Sequence, residues 1–557
     1  MSSFRRRSET GDLLIWLSVS LSITLGVNLK VGDSLYTSNT AYKLIGLLVP
    51  ISFVFLAILL SSPEKRFELS KLKIIWIVLF LSYSLYLGVT SRDLGRFLIG
   101  TADRNLGGIS VALGVLFFIV GRFLNKKQQQ IILVVVLLNS LLQALIVGYQ
   151  KFLQPDVPSL SQIGVFYSPP VVGTLYNANP LSFFLGIAAS GLLGILIKSR
   201  LQKRELILGL LALTVLFLGI IWSSSSQGLI GLCVTGVAFA AGKLIPPIRQ
   251  KFSQFLAWLY GIALVCFLFA VSAISLSPSL DVSQNPYLER LEIYKSALKI
   301  ASANLFLGTG IDQFASEYGK FTLLRDLKLV DNAHSIPLQM ISTLGLLGFF
   351  FYLSFVFWVL RSNRFESLPS DVNWSFWQAA FFSFVVIGII GIEHPVITSI
   401  GFLAAGVLSA NSQMLVSEPK KVYSKLKWKF TYSGLLVFSF FLSLSLNFLV
   451  NSELKVGNAL SQLSQNKISA QKFESIVEVE YEKVYNARVL LILGEAYTAI
   501  GNRGGATNVA NLMQSRFPDD QRTSALFFLI AKTWNDTKAY ENAIELRDQL
   551  FPNSKGI

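Results

Sequence analysis

Apolar runs of roughly 17–25 residues recur along this chain, separated by short polar connections, until about residue 450; beyond that, polar and apolar positions alternate at helical spacing. A run of that length crosses the hydrocarbon core as an α-helix. Such runs lie near 13–28, 42–60, 72–89, 107–124, 131–149, 181–197, 206–222, 228–244, 255–274, 336–360, 376–392, 395–415 and 431–450. The predicted fold class is therefore all-α. Residues 1–450 form a polytopic bundle of about 12–13 transmembrane helices with one large loop at 275–335, and residues 451–557 form an extramembrane helical domain.

Composition agrees: 52% of residues are hydrophobic and 14% charged, with a mean hydropathy of +0.56, outside the range of a soluble domain. The net charge of +16 raises the question of nucleic acid, but its distribution answers otherwise. Arg5, Arg6 and Arg7 precede the first span, and alternate connections carry Lys65, Arg66, Arg122, Lys126, Lys127, Lys198, Arg200, Lys243, Arg249, Arg361, Arg364, Lys420 and Lys421. Basic residues mark cytoplasmic segments, so the charge is mostly topology and no nucleic-acid partner is expected. The loop at 275–335 and the C-terminal domain then face outward. Basic residues before an apolar run also describe a signal peptide; with no clear small-x-small site before Asn28, a retained anchor is expected. Cys233 and Cys266 fall inside spans and read as small packing residues.

The outward segments hold the candidate chemistry. Arg92, Arg96 and Arg104 follow the third span against the basic-inside trend. Guanidinium groups suit phosphate, while pairing with Asp93 and Asp103 is the other reading; both stay open. Asn177 and Asn179 precede Pro180, which suits the first turn of a helix, so capping is the expected role of Asn179, and both asparagines also suit sugar hydroxyls. Gln227 sits in a polar hinge (222–228), either orienting a ligand or making a helix-hairpin turn.

A loop as long as 275–335 is expected to carry function. Within it 287–303 reads as an amphipathic helix, with Leu291, Tyr294, Leu298 and Ala301 on one face and Glu292, Lys295 and Lys299 on a flank. Arg290, on the other flank, has Ile293 and Tyr294 at i+3 and i+4, so its helix offers it no carboxylate there. Gly308 and Gly310 follow, permitting close backbone approach. The loop closes on Asp331-Asn332-Ala333-His334-Ser335, which contains one of only two histidines in 557 residues. An imidazole at a water–lipid boundary suits a general base; a loop histidine bonded to backbone is the ordinary alternative. No span places an acid or base near its middle, where ion-coupled transporters carry them. Chemistry at the outer interface is favoured over transport.

The stretch from Arg290 through Tyr294 to Gly308-Thr309-Gly310, then Asn332-Ala333-His334 to Gln339, and Gly345 to Gly348, resembles the O-antigen ligase/polymerase family. That family carries an arginine-led amphipathic helix, a Gly-x-Gly turn and an Ala-His-Asn-x-x-Leu-Gln segment leading to Gly-x-x-Gly. This chain departs with Ser335 for the usual Asn, Gln227 where many members have Arg, and Thr343 where Glu is frequent. The resemblance implies an inverting, metal-independent glycosyltransferase of the bacterial plasma membrane, with no cofactor. Its donor would be an undecaprenyl-pyrophosphate-linked glycan and its acceptor a glycan, lipid or protein hydroxyl. On that basis His334 and Arg290 are the catalytic candidates. Arg92, Arg96, Arg104, Asn177, Asn179, Gln227, Gly308, Gly310, Asn332 and Gln339 are the substrate-binding candidates.

In the C-terminal region, Phe517-Pro518 and Phe551-Pro552 recur 34 residues apart, the tetratricopeptide period. Helical hairpins over 487–516 and 523–550 resemble a short array of that type, whose grooves commonly bind proteins. A protein partner through 451–557 is thus expected. A protein O-oligosaccharyltransferase of the same family and a lipid-linked glycan flippase or exporter are the competing functions.

Overall fold

A computed structural model describes residues 2–29, 39–60, 71–89, 94–100, 107–153, 173–175, 177–275, 286–322, 330–361, 372–391, 393–411 and 425–550. Each predicted span is a helix: α1 (Ser2–Asn28), α2 (Asn39–Leu60), α3 (Lys71–Val89), the short α4 (Leu94–Ile99), α5 (Gly108–Phe123), α6 (Lys126–Leu153), α7 (Ala178–Lys198), α8 (Lys203–Trp222), α9 (Gln227–Leu244), the short α10 (Pro246–Gln250) and α11 (Phe252–Ser275). The outer loop contributes α12 (Pro286–Ala303) and α13 (Phe314–Phe321), followed by α14 (Ile336–Arg361), α15 (Val372–Gly388), α16 (Pro395–Asn411) and α17 (Lys425–Ser464). Among the described residues nine helices are long and apolar enough to cross a membrane, and four shorter apolar helices lie in α3, α5, α15 and α16. The protein is an all-α polytopic membrane protein.

Helix α7 forms the centre of the bundle, with Phe183, Phe184, Leu185, Ala188 and Ala189 buried against α9 and α15. Helices α5 and α16 approach closely through Gly121 and Gly406, where an added Cβ would overlap the carbonyls of Leu403 and Phe118. Lipid offers no hydrophobic drive between helices, so close packing of small residues supplies the contact. Leu138, Leu145, Leu211, Phe269 and Phe441 face outward, as the lipid-facing surface requires. Cys233 and Cys266 are also exposed, so they lie on that outer surface and do not pack between helices as expected.

The outer end of α1 is tied in by polar groups. Asn28 donates to Asn139, Gln143 donates to Asn28, and Thr174 donates through its amide to Gln143 and through its hydroxyl to the Val27 carbonyl. Unpaired, these groups would be costly in a bilayer; joined, they clamp the turn at 173–175 onto α1 and α6.

The span expected at 336–360 is not straight. Gly345 has φ 63° and ψ −169° inside α14, a conformation outside any helix. Ile336 lies against Gly388, at the outer end of α15. Phe355 stacks on Phe402 at 5.0 Å and meets Phe381 at 6.5 Å, residues only two turns inside the outer ends of α16 and α15. Roughly 28 Å of helix from 336 to 355 thus advances only about 10 Å in depth. Segment 336–344 and the part after Gly345 are thus two helices that run in different directions from the kink.

Helix α17 continues from its span into the C-terminal region without a break at 450/451. Val450 belongs to the membrane core, whereas Val456, Ala459 and Leu460 pack with α18 (Ala470–Val477), α19 (Ala487–Ala499), α20 (Arg503–Arg516), α21 (Gln521–Trp534) and α22 (Thr537–Leu550). The caps repeat with the helices: Asn486 and Asp520 cap α19 and α21, while Asn502 and Asp536 bond the amides of Gly505 and Ala539. Both pairs stand 34 residues apart. Gly494 lets α19 meet Leu526 of α21 closely, and Ala543 is fully buried, while Tyr540 is half exposed. Helix α22 packs against α13, which places the helical hairpins beside the outer loop.

Candidate active site

Four segments converge at the outer end of the bundle. The first is the start of α7. Asn177, not Asn179, is its N-cap: the Asn177 side chain accepts from the Asn179 amide at 2.9 Å. That corrects the expected capping role of Asn179 and leaves its side chain for another job. Asn179 Oδ1 accepts from Ser225 Oγ at 2.8 Å and from the Arg290 guanidinium at 3.5 Å. One asparagine thus joins α7, the 223–226 hinge and α12.

The hinge is the second segment. Ser224 holds φ 58°, and Ser182 accepts from the Gly228 amide at 3.0 Å while donating to the Ser225 carbonyl at 2.8 Å. Gln227 is fully buried; it donates to the Ile390 carbonyl at 3.4 Å, and its Oε1 is buried without a hydrogen-bond partner. Gln227 therefore faces the 389–394 connection inside the protein.

The third is α12. Ile293, Tyr294, Ala297, Ile300 and Ala301 are buried, with Leu291 and Leu298 partly so. Glu292 and Lys295, expected on an open flank, are buried as well, because α13 covers that side. Arg290 stays half-buried at the outer end, and among the described residues no carboxylate lies within ion-pair distance of it. One turn on, Tyr294 Oη donates to the His334 carbonyl at 3.4 Å. Burial pushes the Tyr294 phenol up to about 12, with Arg290 pulling it down, so the hydroxyl stays protonated and able to donate.

The fourth is the 330–335 segment. His334 has φ 49°, a left-handed conformation that costs a non-glycine residue about 1–2 kcal/mol. Surrounding bonds hold it there. The His334 amide donates to Asn332 Oδ1 at 2.8 Å, and the Ala333 amide donates to Gln339 Oε1 at 2.8 Å. Asn332 and Gln339 thus shape the loop that presents the imidazole, which remains half-exposed.

Gly308 and Gly310 are placed otherwise. Their amides donate to the carbonyls of Asn304 and Thr343, and a Cβ on Gly308 would overlap the Thr343 backbone. They seat the turn after α12 on the kink of α14, with no amide left for a ligand. Tyr83 closes this joint: its hydroxyl lies 2.9 and 2.7 Å from the carbonyls of Leu307 and Leu344, which share its one hydrogen. Arg92 and Arg104 lie outside the described residues. Arg96 falls in α4, its side chain outside the described set.

Residue reasoning missed Glu393. It follows α15 and lines a small pocket with Asn332, His334, Ser335, Gln339 and Gly391. It also lines a neighbouring apolar cavity of about 130 Å3, walled by Phe80, Phe118, Phe351, Phe355 and Phe402 and shared with Asp312. Burial, and then Asp312, pushes the Glu393 carboxyl up to about 8. A single acid at a helix end has no spacing signature; only the fold brings it to His334.

No curated protein matches the chain. Residues 171–353 match the family model described as O-antigen ligase, a segment that runs from the turn clamped by Gln143 through Arg290 and His334 to the kinked helix α14. Over that segment the chain is similar to the O-antigen ligase family.

Proposed function

We propose that the protein transfers a glycan from a lipid-pyrophosphate donor of the undecaprenyl class to a hydroxyl acceptor at the outer face of the bacterial plasma membrane. The observation that carries this is the link between Arg290 and His334: the α12 turn that offers a guanidinium at Asn179 also bonds the His334 backbone through Tyr294. A cation for the leaving group and a base for the nucleophile are thereby held by one rigid element.

In the transfer, the acceptor oxygen attacks the anomeric carbon from the face opposite the pyrophosphate. The new glycosidic C–O bond forms as the bond to the pyrophosphate breaks, inverting that centre. The electron pair leaves with the pyrophosphate, whose growing charge Arg290 stabilises. His334, neutral before the step, takes the acceptor proton. Arginine in this role makes a divalent cation unnecessary, so turnover should persist in EDTA.

The test is transfer in detergent from a purified lipid-linked glycan, with no sealed membrane and no ion gradient. Product should form and lipid pyrophosphate should be released. Arg290→Lys keeps charge but loses the bidentate fork, and turnover should fall about 100-fold. Arg290→Lys at wild-type rate would remove the guanidinium from the mechanism. Inactivity of folded wild type with several donors and acceptors would favour a flippase or exporter, which needs two compartments.

A second reading has its own support: the packing of α22 against α13 brings the helical hairpins to the site loop, where they suit a polypeptide acceptor. Cells lacking the gene would then lose glycoproteins and keep their surface polysaccharide, as read on gels.

A further inference from the structure

We propose that the cavity enclosed by the two arms of α14 with α5 and α16 is a binding slot for one hydrocarbon chain of a lipid with an uncharged head. This does not depend on the glycan-transfer reading, because binding is read with no donor present.

The kink in α14 makes the space. The arm before Gly345 contributes Ile336, Met340 and Leu344 to the wall, and the arm after it contributes Phe351, Phe355 and Trp358. Where one straight helix would pack along α5, two diverging arms leave about 130 Å3 open. Most of the wall is aromatic or aliphatic carbon. A cavity lined in this way stays dry, and one of about 150 Å3 admits a benzene-sized molecule. A water inside would find few partners, whereas a methylene chain would find contact on every side.

The layout of the wall favours a chain over a compact ligand. Ser110 and Thr398 stand in the first turns of α5 and α16, and Phe118 and Phe402 stand one to two turns further in. Along α5 the slot therefore runs roughly 12 Å. Glu393 just precedes α16, and Asp312 and Gln339 come from the outer loop and the first arm of α14, so these three polar side chains belong to the outer end. Tyr352, further in, is satisfied by the Tyr260 hydroxyl at 3.1 Å. A head would meet water at the outer end, and its chain would stand in the apolar part. The bilayer can supply such a chain: Phe80 of α3 forms part of the wall, while Val78 and Leu79 beside it are exposed on the outer surface.

Charge selects the head. Among the described residues no lysine, arginine or histidine lines any part of the cavity. A phosphate or carboxylate head would meet Asp312 as a like charge and find no counter-cation. The donor's pyrophosphate, which calls for Arg290, does not suit this place; a hydroxyl-headed lipid does. Gln339 also connects the slot to the site, since its Oε1 accepts the Ala333 amide at 2.8 Å. An occupied slot thus supports the arm that shapes the loop presenting His334.

The experiment uses the full chain, purified in a detergent with a rigid ring system and no alkyl chain. It is titrated with 1-oleoylglycerol, the uncharged probe, and with oleate, the same chain under an anionic head; bound probe is counted by native mass spectrometry. One 1-oleoylglycerol should bind, raise the unfolding temperature by roughly 5 °C, and bind about tenfold more tightly than oleate. Gly114→Leu tests the place. A Cβ at Gly114 meets the Phe402 ring at an ordinary 3.5 Å, and the rest of the leucine must enter the slot. Without lipid this variant should unfold at a higher temperature than wild type, because a void is filled, and it should gain nothing from 1-oleoylglycerol. Gly434→Leu, on the open surface of α17, controls for helix propensity and should keep the lipid gain. Should Gly114→Leu fail to fold, Val111→Phe, from the same wall one turn closer to the outer end, takes its place. Absence of stoichiometric binding, equal affinity for oleate, or an undiminished lipid gain in the filled variant would each overturn the proposal. Tighter binding of farnesyl pyrophosphate than of 1-oleoylglycerol would overturn the uncharged head and give the slot to the donor's tail.

Discussion

His334 carries a backbone cost that its side chain must justify. At φ 49° a glycine fits without strain, whereas any Cβ is disfavoured. His334→Ala and His334→Gly should both abolish transfer, with expression and membrane insertion near normal. They should differ in stability: the glycine variant should be more stable than the alanine variant by about 1 kcal/mol, read as thermal unfolding in detergent. Equal stability would mean that the loop relaxes when the imidazole is gone. Transfer by a well-expressed His334→Ala protein would return this residue to ordinary loop structure. Asp312 and Ser224 share the left-handed conformation, so three strained non-glycine residues cluster around one outer site. Strain of this kind persists only where neighbours over-determine it.

At the scale of elements, the spans were legible because each needs only length and apolarity, and lipid enforces both. Arg290 and His334 stood out as candidates because their chemistry is unusual for their positions. Three features were hidden. Asn177 and Asn179 both suit a cap, and only the local backbone decides which of them caps. Gly308 and Gly310 read as a ligand turn, although their amides are bonded inside the protein. Gly345 looks like any glycine in an apolar run, and its break shows only in φ and ψ. That break carries a sharp expectation. A Cβ at Gly345 would overlap the Phe306 carbonyl and adopt a disfavoured φ of 63°. Gly345→Ala should destabilise the protein by more than about 2 kcal/mol, whereas Gly434→Ala, where a Cβ meets nothing, should be neutral. Matching unfolding temperatures for the two variants would refute the joint between the 304–310 turn and α14.

For the whole molecule, the orientation rests on the basic connections and the juxtaposition of loop and hairpins on a contact. Alternating basic connections put the loop and the C-terminal domain on one side, and α22 touching α13 requires that same arrangement. Cysteine placed at Val479, which is exposed in the turn after α18, should react with an impermeant reagent added outside intact cells. Cysteine at Arg200, in the connection between α7 and α8, should react only after the membrane is opened. Cys233 and Cys266 must first be replaced, since both are exposed. Outside labelling at position 200 would invert the topology and move the site to the cytoplasm.

The unbroken course of α17 has a mechanical consequence. Its 40 residues make a strut about 60 Å long, and the part beyond Val450 stands about 20 Å clear of the membrane core. A hinge at the bilayer surface would let the terminal hairpins sweep; a strut footed in the bundle, carrying hairpins whose last helix α22 rests on α13, cannot. The reach of this assembly is therefore set by geometry. A tilt of α17 imposed by a thicker or thinner bilayer would act as a lever, shifting the contact on α13 and with it the loop that ends in His334.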